Sequence, residues 1–276
     1  MIELSRSSFY YAPHPRTGAL SEDVVVQQIQ QIQKRFPRYG YRRLVAMFQR
    51  QGLVINAKRM RRILKTHGLS PTPFSRARIK TTDSSHGHPG FPNLLKGRLV
   101  DFIDQVWVTD ITYLRVGSSF AYLAMILDVY SRKIIGWALG PSLHASLCQA
   151  ALEEALLTRM PRPRCIHHSD HGVQYTSGAY LQRLEKAGFL LSMANKGCSW
   201  ENGYAESFFK TLKHEEVLWQ EYETMQQAVD SVSSFIEQVY NRERLHSRLG
   251  YCSPEEFEQK LKQEIFFINR PVIKLR

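Results

Sequence analysis

The segment SFAYLAMILDVY, residues 119–130, is a near-continuous apolar run bounded by polar residues. A run of this length and composition reads as a central strand covered on both faces, so the chain must supply layers above and below it. Immediately before it, QVWVTDITYLRV (105–116) puts Val106, Val108, Asp110, Thr112 and Leu114 on one parity. That is a strand with an aspartate set into an apolar row. KIIGWAL (133–139) is a third strand, CIHHSD (165–170) a short fourth and GFLLSMAN (188–195) a fifth. Helices are predicted over 144–159, 177–187, 200–217 and 225–244. The order predicts an α/β fold, a mixed five-stranded sheet with flanking helices.

The N-terminal third has a different texture. SEDVVVQQIQQIQKR (21–35) predicts a helix capped by Ser21, with Glu22 and Asp23 at its positive end. YRRLVAMFQR (41–50) predicts a second, and NAKRMRRILKTH (56–67) a third, capped by Asn56 and stopped at Gly68. On the third, Met60, Ile63 and Leu64 share one face while Lys58, Arg59, Arg61, Arg62 and Lys65 cover the rest. Three short helices with a basic last one predict an N-terminal all-α helix-turn-helix region, or else a small bundle with a solvated basic face. Charge bears on that choice. Residues 1–98 hold 18 Lys/Arg against 4 Asp/Glu, whereas residues 99–276 hold 19 against 21. The whole excess of +12 therefore resides in the first third, as an electrostatic footprint for a polyanion. Arg42 and Arg43 join the five basic residues of the third helix as candidate DNA contacts.

The remaining composition excludes several classes. There is no run of about 18 apolar residues, so no membrane span is expected. The first residues, MIELSRSSFYYAPHPR, lack the apolar core of a secretory signal. Cys148, Cys165, Cys198 and Cys252 have no paired spacing, which argues against a zinc module or a disulfide framework. A cytoplasmic protein with reduced thiols is expected. The predicted organisation is a basic DNA-binding region over 1–70, a linker over 71–101, an α/β core over 102–260 and a tail over 261–276. The linker is rich in Pro, Gly, Ser and Thr, and carries His86 and His88, too few ligands for a metal site on their own.

Three carboxylates stand where chemistry could use them. Asp110 interrupts the first strand, and Asp170 ends the fourth, just before Gly172. Asp-Gly pairs also make ordinary turns, but a strand end is a rigid mount for a ligand. Glu206 lies in SWENGYAESFFKTLKHEE, where Asn202, Glu206, Lys210 and Lys213 share a helical face and Phe208, Phe209 and Leu212 are free to dock. Three such oxygen donors suit Mg²⁺, with Mn²⁺ able to substitute. Two ions roughly 3.5–4 Å apart stabilise both the attacking and the leaving oxygen of a phosphoryl displacement. Lys210, Lys213 and Asn202 are candidate contacts to the DNA backbone, and Gly172 would let backbone and DNA approach closely.

Taken together, WVTDITY (107–113), ILDVYSRKIIGWAL (126–139), HSDHGVQYTS (168–177), GYAESFFKTLKHEEV (203–217) and YNRERLHSRLGYCSPEEFE (240–258) resemble the second-frame (OrfB) transposases of IS-three-type insertion sequences. Asp170 and Glu206 are separated by 35 residues, the spacing of that family's D-D-35-E motif. RYGYRRL (38–44) matches its upstream region, and the resemblance covers nearly all of residues 5–258. It implies an RNase H-like, retroviral-integrase-like core with Asp110, Asp170 and Glu206 as ligands for two Mg²⁺ ions per site. It implies cleavage at the element's ends and joining of a 3′-OH to target DNA. It further implies double-stranded DNA at element ends and target as partner, a homo-oligomer on that DNA, and a leucine zipper and first helix-turn-helix supplied by the upstream-frame product (OrfA) or by an OrfA–OrfB fusion. The sequence departs from the family at Glu201, where Asp is usual, and at His171, where Arg is frequent.

Other residues compete for these roles. Asp128, followed at once by Ser131 and Arg132, reads as a turn residue. His167 and His168 lack a third soft ligand and are assigned to positioning Asp170 or DNA. Glu215 and Glu216 lie off the stripe of Glu206. Tyr240, Arg242, Arg244 and His246 either serve a helix C-terminus or touch DNA. SPEE at 253–256 is a helix start. Two functional alternatives remain at this level, a metal-dependent nuclease that only hydrolyses and a catalytically silent DNA-binding regulator.

Overall fold

The computed structural model describes residues 20–72 and 90–268. His86, His88, most of the predicted linker and the end of the predicted tail lie outside the described residues. The chain divides into two units, Met1–Thr72 and Pro73–Arg276.

In the first unit, α1 (Glu22–Arg35), α2 (Tyr41–Arg50) and α3 (Ala57–Thr66) pack through Val25, Ile29 and Ile32, through Leu44, Ala46 and Phe48, and through Met60, Ile63 and Leu64. These are the apolar positions that recur at helical spacing. The caps form as predicted: Ser21 Oγ accepts from Val24 N–H at 3.4 Å and Asn56 Oδ1 from Lys58 N–H at 2.7 Å. Phe36 and Tyr39 stack at 4.5 Å in the bend between α1 and α2.

The second unit is built on β1 (Val106–Val116), β2 (Ser119–Asp128), β3 (Ile134–Gly140), β4 (Ile166–Ser169) and β5 (Leu190–Met193). Their spatial order is β3-β2-β1-β4-β5. The first three form an antiparallel meander, and β4 and β5 add in parallel. The sheet is mixed and five-stranded, as predicted. On one face, α4 (Ala145–Thr158) and α5 (Gly178–Lys186) cover Trp107, Ala124, Ile126 and Ile135. On the other, α6 (Gly203–Glu215) and α7 (Met225–Ser234) cover Val106, Val108, Leu123, Met125 and Leu127. The apolar run of β2 is thus buried on both sides.

α4 sits directly on β3 at Gly136. A Cβ there would overlap the Ala151 carbonyl oxygen and come within 2.7 Å of Ala155 N. The outer edge of β3 is taken up by side chains. Asn241 Oδ1 accepts from Ile134 N–H at 3.0 Å and its Nδ2 donates to Ile134 O at 2.9 Å. Glu154 Oε2 accepts from Trp137 N–H at 2.5 Å, and Thr158 Oγ1 donates to Ile135 O at 3.3 Å.

Two segments differ from expectation. The single helix predicted over 225–244 changes at Phe235 into a π-helix, Phe235–Glu243, which brings Asn241 to the β3 edge. Part of the predicted linker is structured. Leu95 joins the core beside Val106, Asn93 donates to Glu201 at 2.8 Å, and Leu94 N–H donates to Ser192 Oγ at 2.9 Å. After Ser253, α8 runs Pro254–Ile268, with Ser253 Oγ accepting from Glu256 N–H at 3.3 Å.

Candidate active site

Strand register sets the relation between the two aspartates. β1 and β4 run parallel, with Val108 opposite His168. Asp110 lies two residues past Val108, and Asp170 two residues past His168. They occupy corresponding positions just past the last β1–β4 pair, where β4 ends while β1 continues along β2, and the two-residue pleat gives them the same parity. That parity is the α6 side, since Val106 and Val108 pack there.

α6 is anchored by Ala205, Phe208, Phe209 and Leu212 in the core. Its start is tied to β1 by Asn202 Nδ2, which donates to Thr109 O at 3.0 Å. Glu206 and Lys210 are left exposed, and Lys213 is half-buried. The electrostatics report the resulting proximity. Burial holds the Asp110 carboxyl well above the ordinary carboxylate range, and the negative charges of Asp170 and Glu206 push it the same way. The N–H of Ile111, 2.7 Å from Asp110 Oδ1, and the Lys213 ammonium oppose them. Lys213 rests 4.9 Å from the Tyr113 ring centre. Burial lowers its pKa and Asp110 raises it.

This oxygen-only donor set fits a hard divalent cation, which takes a few carboxylates and fills its remaining positions with water and substrate oxygens. Among the described residues, no three His, Cys, Asp or Glu side chains stand close enough together to hold a metal ion. Asp170 and Glu206 do lie near enough to Asp110 for their charges to raise its pKa.

A neutral polar layer underlies it. Thr109 Oγ1 lies 2.9 Å from Met125 O and 3.3 Å from Tyr175 OH. Burial pushes the Tyr175 phenol up and the Cys148 thiol up to about 12, so both keep their protons beneath the acids. Asp170 Oδ1 accepts from Gly172 N–H at 2.9 Å. A Cβ on Gly172 would lie 3.0 Å from Gln174 Oε1 and 3.1 Å from Asp170 Oδ1. What comes close at Gly172 is therefore the aspartate itself, a tighter constraint than the DNA approach expected there.

Several expectations are corrected. Asn202, expected as a DNA contact, is 2% exposed, and its Nδ2 donates to Thr109 O, which ties the start of α6 to β1. His167 and His168 do not position Asp170. His167 Nε2 lies 3.0 Å from Tyr180 OH and His168 Nδ1 lies 2.8 Å from Ser192 Oγ, because β4 is covered on both faces. Burial lowers their pKa values to about 3 and about 4. Arg244, 5% exposed, forms a two-point pair with Glu215 at 2.7 Å, which makes it structural. Glu216 accepts from Ser231 Oγ.

Asp128 is the turn residue predicted. It accepts from Ser131 N–H and Oγ–H and from Asp104 N–H, and burial raises it to about 6. Glu201 accepts from Asn93 and Asn195, which lower its pKa and give the departure at this position a local structural use.

In the first unit Lys58, Arg61, Arg62 and Lys65 are exposed along α3, with Arg42 exposed on α2. Part of this charge is engaged internally. Arg62 pairs with Glu22 at 2.5 Å, and Arg59 donates to Leu20 O at 2.5 Å. Arg61 and Arg42 flank the Tyr41 ring at 4.4 and 5.4 Å, and Arg43 lies 5.3 Å from the Tyr39 ring centre.

Comparison with known proteins gives the same partition. An "HTH-like domain" family matches residues 21–76, and two "Integrase core domain" families match 103–199 and 187–254. The insertion element IS600 31 kDa protein of Shigella sonnei is 37% identical over 82% of this chain and 83% of its own length. Transposase InsF for insertion sequence IS3A of Escherichia coli (strain K12) is 37% identical over 81% of this chain and 77% of its own. Among solved structures, the simian T-cell lymphotropic virus intasome in complex with PP2A regulatory subunit B56 gamma aligns at a TM-score of 0.50 and 14% identity, over 84% of this chain and 72% of that one. That likeness concerns the fold alone. With a helix-turn-helix-like region, an integrase core and this identity to insertion-sequence proteins, the chain belongs to the IS3-family transposases.

Proposed function

We propose that this transposase is a Mg²⁺-dependent DNA strand transferase acting through Asp110, Asp170 and Glu206. The observation that supports the reading is the placement of Asp110 within β1, beside the end of β4 that carries Asp170, with Asp170 and Glu206 both raising the Asp110 pKa. Acids assembled against their own repulsion need a reason, and a shared cation supplies one. When bound, two divalent ions stabilise the attacking and leaving oxygens of an in-line displacement.

The chain's own residues do the rest. Asp110 and Asp170 fix one side of the site from the rigid sheet, while Glu206 approaches from the solvent side of α6. Lys210, one turn beyond Glu206, holds a backbone phosphate of the strand being joined. Lys213 keeps a positive charge beside Asp110, which favours its ionised, ligating form. In the first reaction water attacks the phosphodiester at the element end, and a 3′-OH leaves. In the second that 3′-OH attacks a target phosphodiester. A new ester bond forms, and the target's own 3′-hydroxyl is released.

Residues 1–70 grip duplex DNA through Arg42, Arg43 and the basic residues of α3, with 71–101 linking to a core over 102–260. The working assembly is a homo-oligomer on DNA, with the upstream-frame product or a fusion to it reading the element's ends, in the bacterial cytoplasm. No helix among the described residues is long and apolar enough to cross a membrane.

The test is a joining assay with a labelled element-end duplex, the upstream-frame partner, Mg²⁺ and a second duplex. Joined products that vanish with Glu206→Gln and weaken with Lys210→Ala are expected. Shortened strands alone, where an active homologue joins them, would establish the nuclease reading instead.

A further inference from the structure

A cleft of about 510 Å³ opens beside the first turns of α6, between the 93–98 segment and the start of the helix. Lys96, Arg98, Arg132, Trp200, Glu201 and Tyr204 line it. Gly203 and Ser207 on its wall are one step around α6 from Glu206, so the cleft adjoins the carboxylate site without containing it.

Its lining carries three cations against one carboxylate, and Lys96 lies near enough to Glu201 to lower that group's pKa. Glu201 is its one acidic lining residue, and that carboxylate is held by Asn93 and Asn195 at 2.7–3.0 Å. Lys96, Arg98 and Arg132 form no ion pair among the described residues. Arg132 is the most constrained of the three. Its backbone is left-handed, with φ of 62°, and its half-buried guanidinium lies 4.2 Å from the Tyr204 ring centre. Burial lowers its pKa, Tyr204 and Tyr240 offset part of that, and Arg248 adds a further positive charge nearby. The tyrosines offset part of the cost of burying this guanidinium, and an anion would offset the remainder. The positive pole of α6 points the same way.

The second independent feature is Trp200, 68% exposed among these cations. Arg132 already covers a face of Tyr204, so Trp200 is the aromatic surface left for a flat ligand. Cations beside an open indole are the elements of a single-strand nucleic-acid site, with phosphate on the charges and a base on the ring. The cleft is of small-ligand size, right for about one nucleotide and too small for a duplex.

We propose that this cleft binds an unpaired nucleotide of the DNA strand leaving the carboxylate site, with its phosphate on Arg132, Lys96 and Arg98 and its base against Trp200. The proposal rests on the strand-transfer reading for its location, and its test is separate.

Full-length protein is titrated with an oligo-dT single strand and with a blunt duplex, following fluorescence anisotropy of the DNA and intrinsic tryptophan emission. Oligo-dT should quench part of the emission. Trp200→Ala should weaken oligo-dT binding about tenfold and remove that quench, while Trp200→Tyr keeps most of the affinity. Joint Lys96→Ala and Arg98→Ala should lower the salt slope for oligo-dT by about 1.4. Blunt-duplex affinity and melting temperature should stay unchanged in all three. Unchanged oligo-dT binding in the variants, or equal losses for duplex and single strand, would overturn the proposal. So would a poly-glutamate peptide competing as well as oligo-dT. If the variants fail in these ways while the wild type still joins DNA, the cleft assignment alone falls. If the wild type shows no metal-dependent joining, the strand-transfer reading falls whatever the cleft binds.

Discussion

Gly172→Ala isolates how tightly Asp170 must be placed. The backbone at Gly172 has φ −64° and ψ 138°, open to any residue, so the substitution adds no torsional strain. Its whole effect comes from the new methyl group, 3.1 Å from Asp170 Oδ1, 3.0 Å from Gln174 Oε1 and 3.4 Å from Tyr175 Cδ2. Gln174 is buried, with Nε2 donating to Leu143 O, which limits its retreat. Asp170, at the open end of β4, is the group that gives, by about 0.3 Å to reach ordinary contact. A misplacement of about 1 Å costs on the order of 100-fold in rate, so this share predicts joining slowed about fourfold. Stability should change by less than about 1 kcal/mol, because removing a glycine stabilises by ~0.4–1 kcal/mol and crowding offsets it. Single-turnover joining at saturating Mg²⁺, alongside thermal melting, measures both. Gly178→Ala is the control, since nothing lies within 4 Å of its Cβ, and its rate should equal that of wild type. An unchanged rate in Gly172→Ala, with a raised melting temperature, would refute the claim that Asp170 is a ligand pinned by this contact.

Mg²⁺ or Mn²⁺ at tenfold its dissociation constant should stabilise by about 1.4 kcal/mol, seen as a rise of a few degrees in Tm, and an equal rise in Asp170→Asn would remove Asp170 from the metal site. Gly136→Ala should cost about 3 kcal/mol in urea unfolding because backbone blocks its methyl, whereas Gly140→Ala meets only the Leu147 Cδ1 tip at 3.2 Å and should cost under about 1 kcal/mol; similar costs would contradict the packing described. His167 has a folded pKa lowered to about 3 from 6.5, so the unfolded chain takes the proton first and stability falls as pH drops below 6.5. From pH 7 to pH 5 this costs about 2 kcal/mol, and the pH dependence of unfolding should weaken by that amount in His167→Phe; identical slopes would show that His167 is not buried neutral. Lys58→Ala and Lys65→Ala should each lower the salt slope for duplex binding by about 0.9, and no change would place that duplex elsewhere.

The three carboxylates stand out in the sequence because their signals are local or periodic. An aspartate in the apolar row of β1, another closing β4 and a glutamate on an amphipathic helix each stand out against a pattern. The nearness of Asp110 to Asp170 follows from parallel pairing of β1 with β4, which the order of elements leaves open. What could not be read depends on contacts across the sheet. Asn202 shares the stripe of Glu206, yet its distance from solvent is decided by Thr109 O. The two histidines beside Asp170 suggest chemistry, but a four-residue strand buried on both faces turns them into packing. Arg132 was passed over because nothing in SRK signals a left-handed residue set against Tyr204. Leu95 carried no periodicity inside a stretch dominated by turn-forming residues, although it completes the core next to Val106.

The side chains along the outer edge of β3 have a consequence for what can pair with the sheet there. An edge strand offers unpaired N–H and C=O groups to any other strand that drifts past. Here the groups at Ile134, Ile135 and Trp137 are already spoken for by Asn241, Thr158 and Glu154. Asn241 imitates one residue of a sixth strand and then stops, since a side-chain amide cannot propagate a ladder. A strand from any other chain therefore finds no open ladder at these three residues, and that stretch of the margin is left to side-chain contacts.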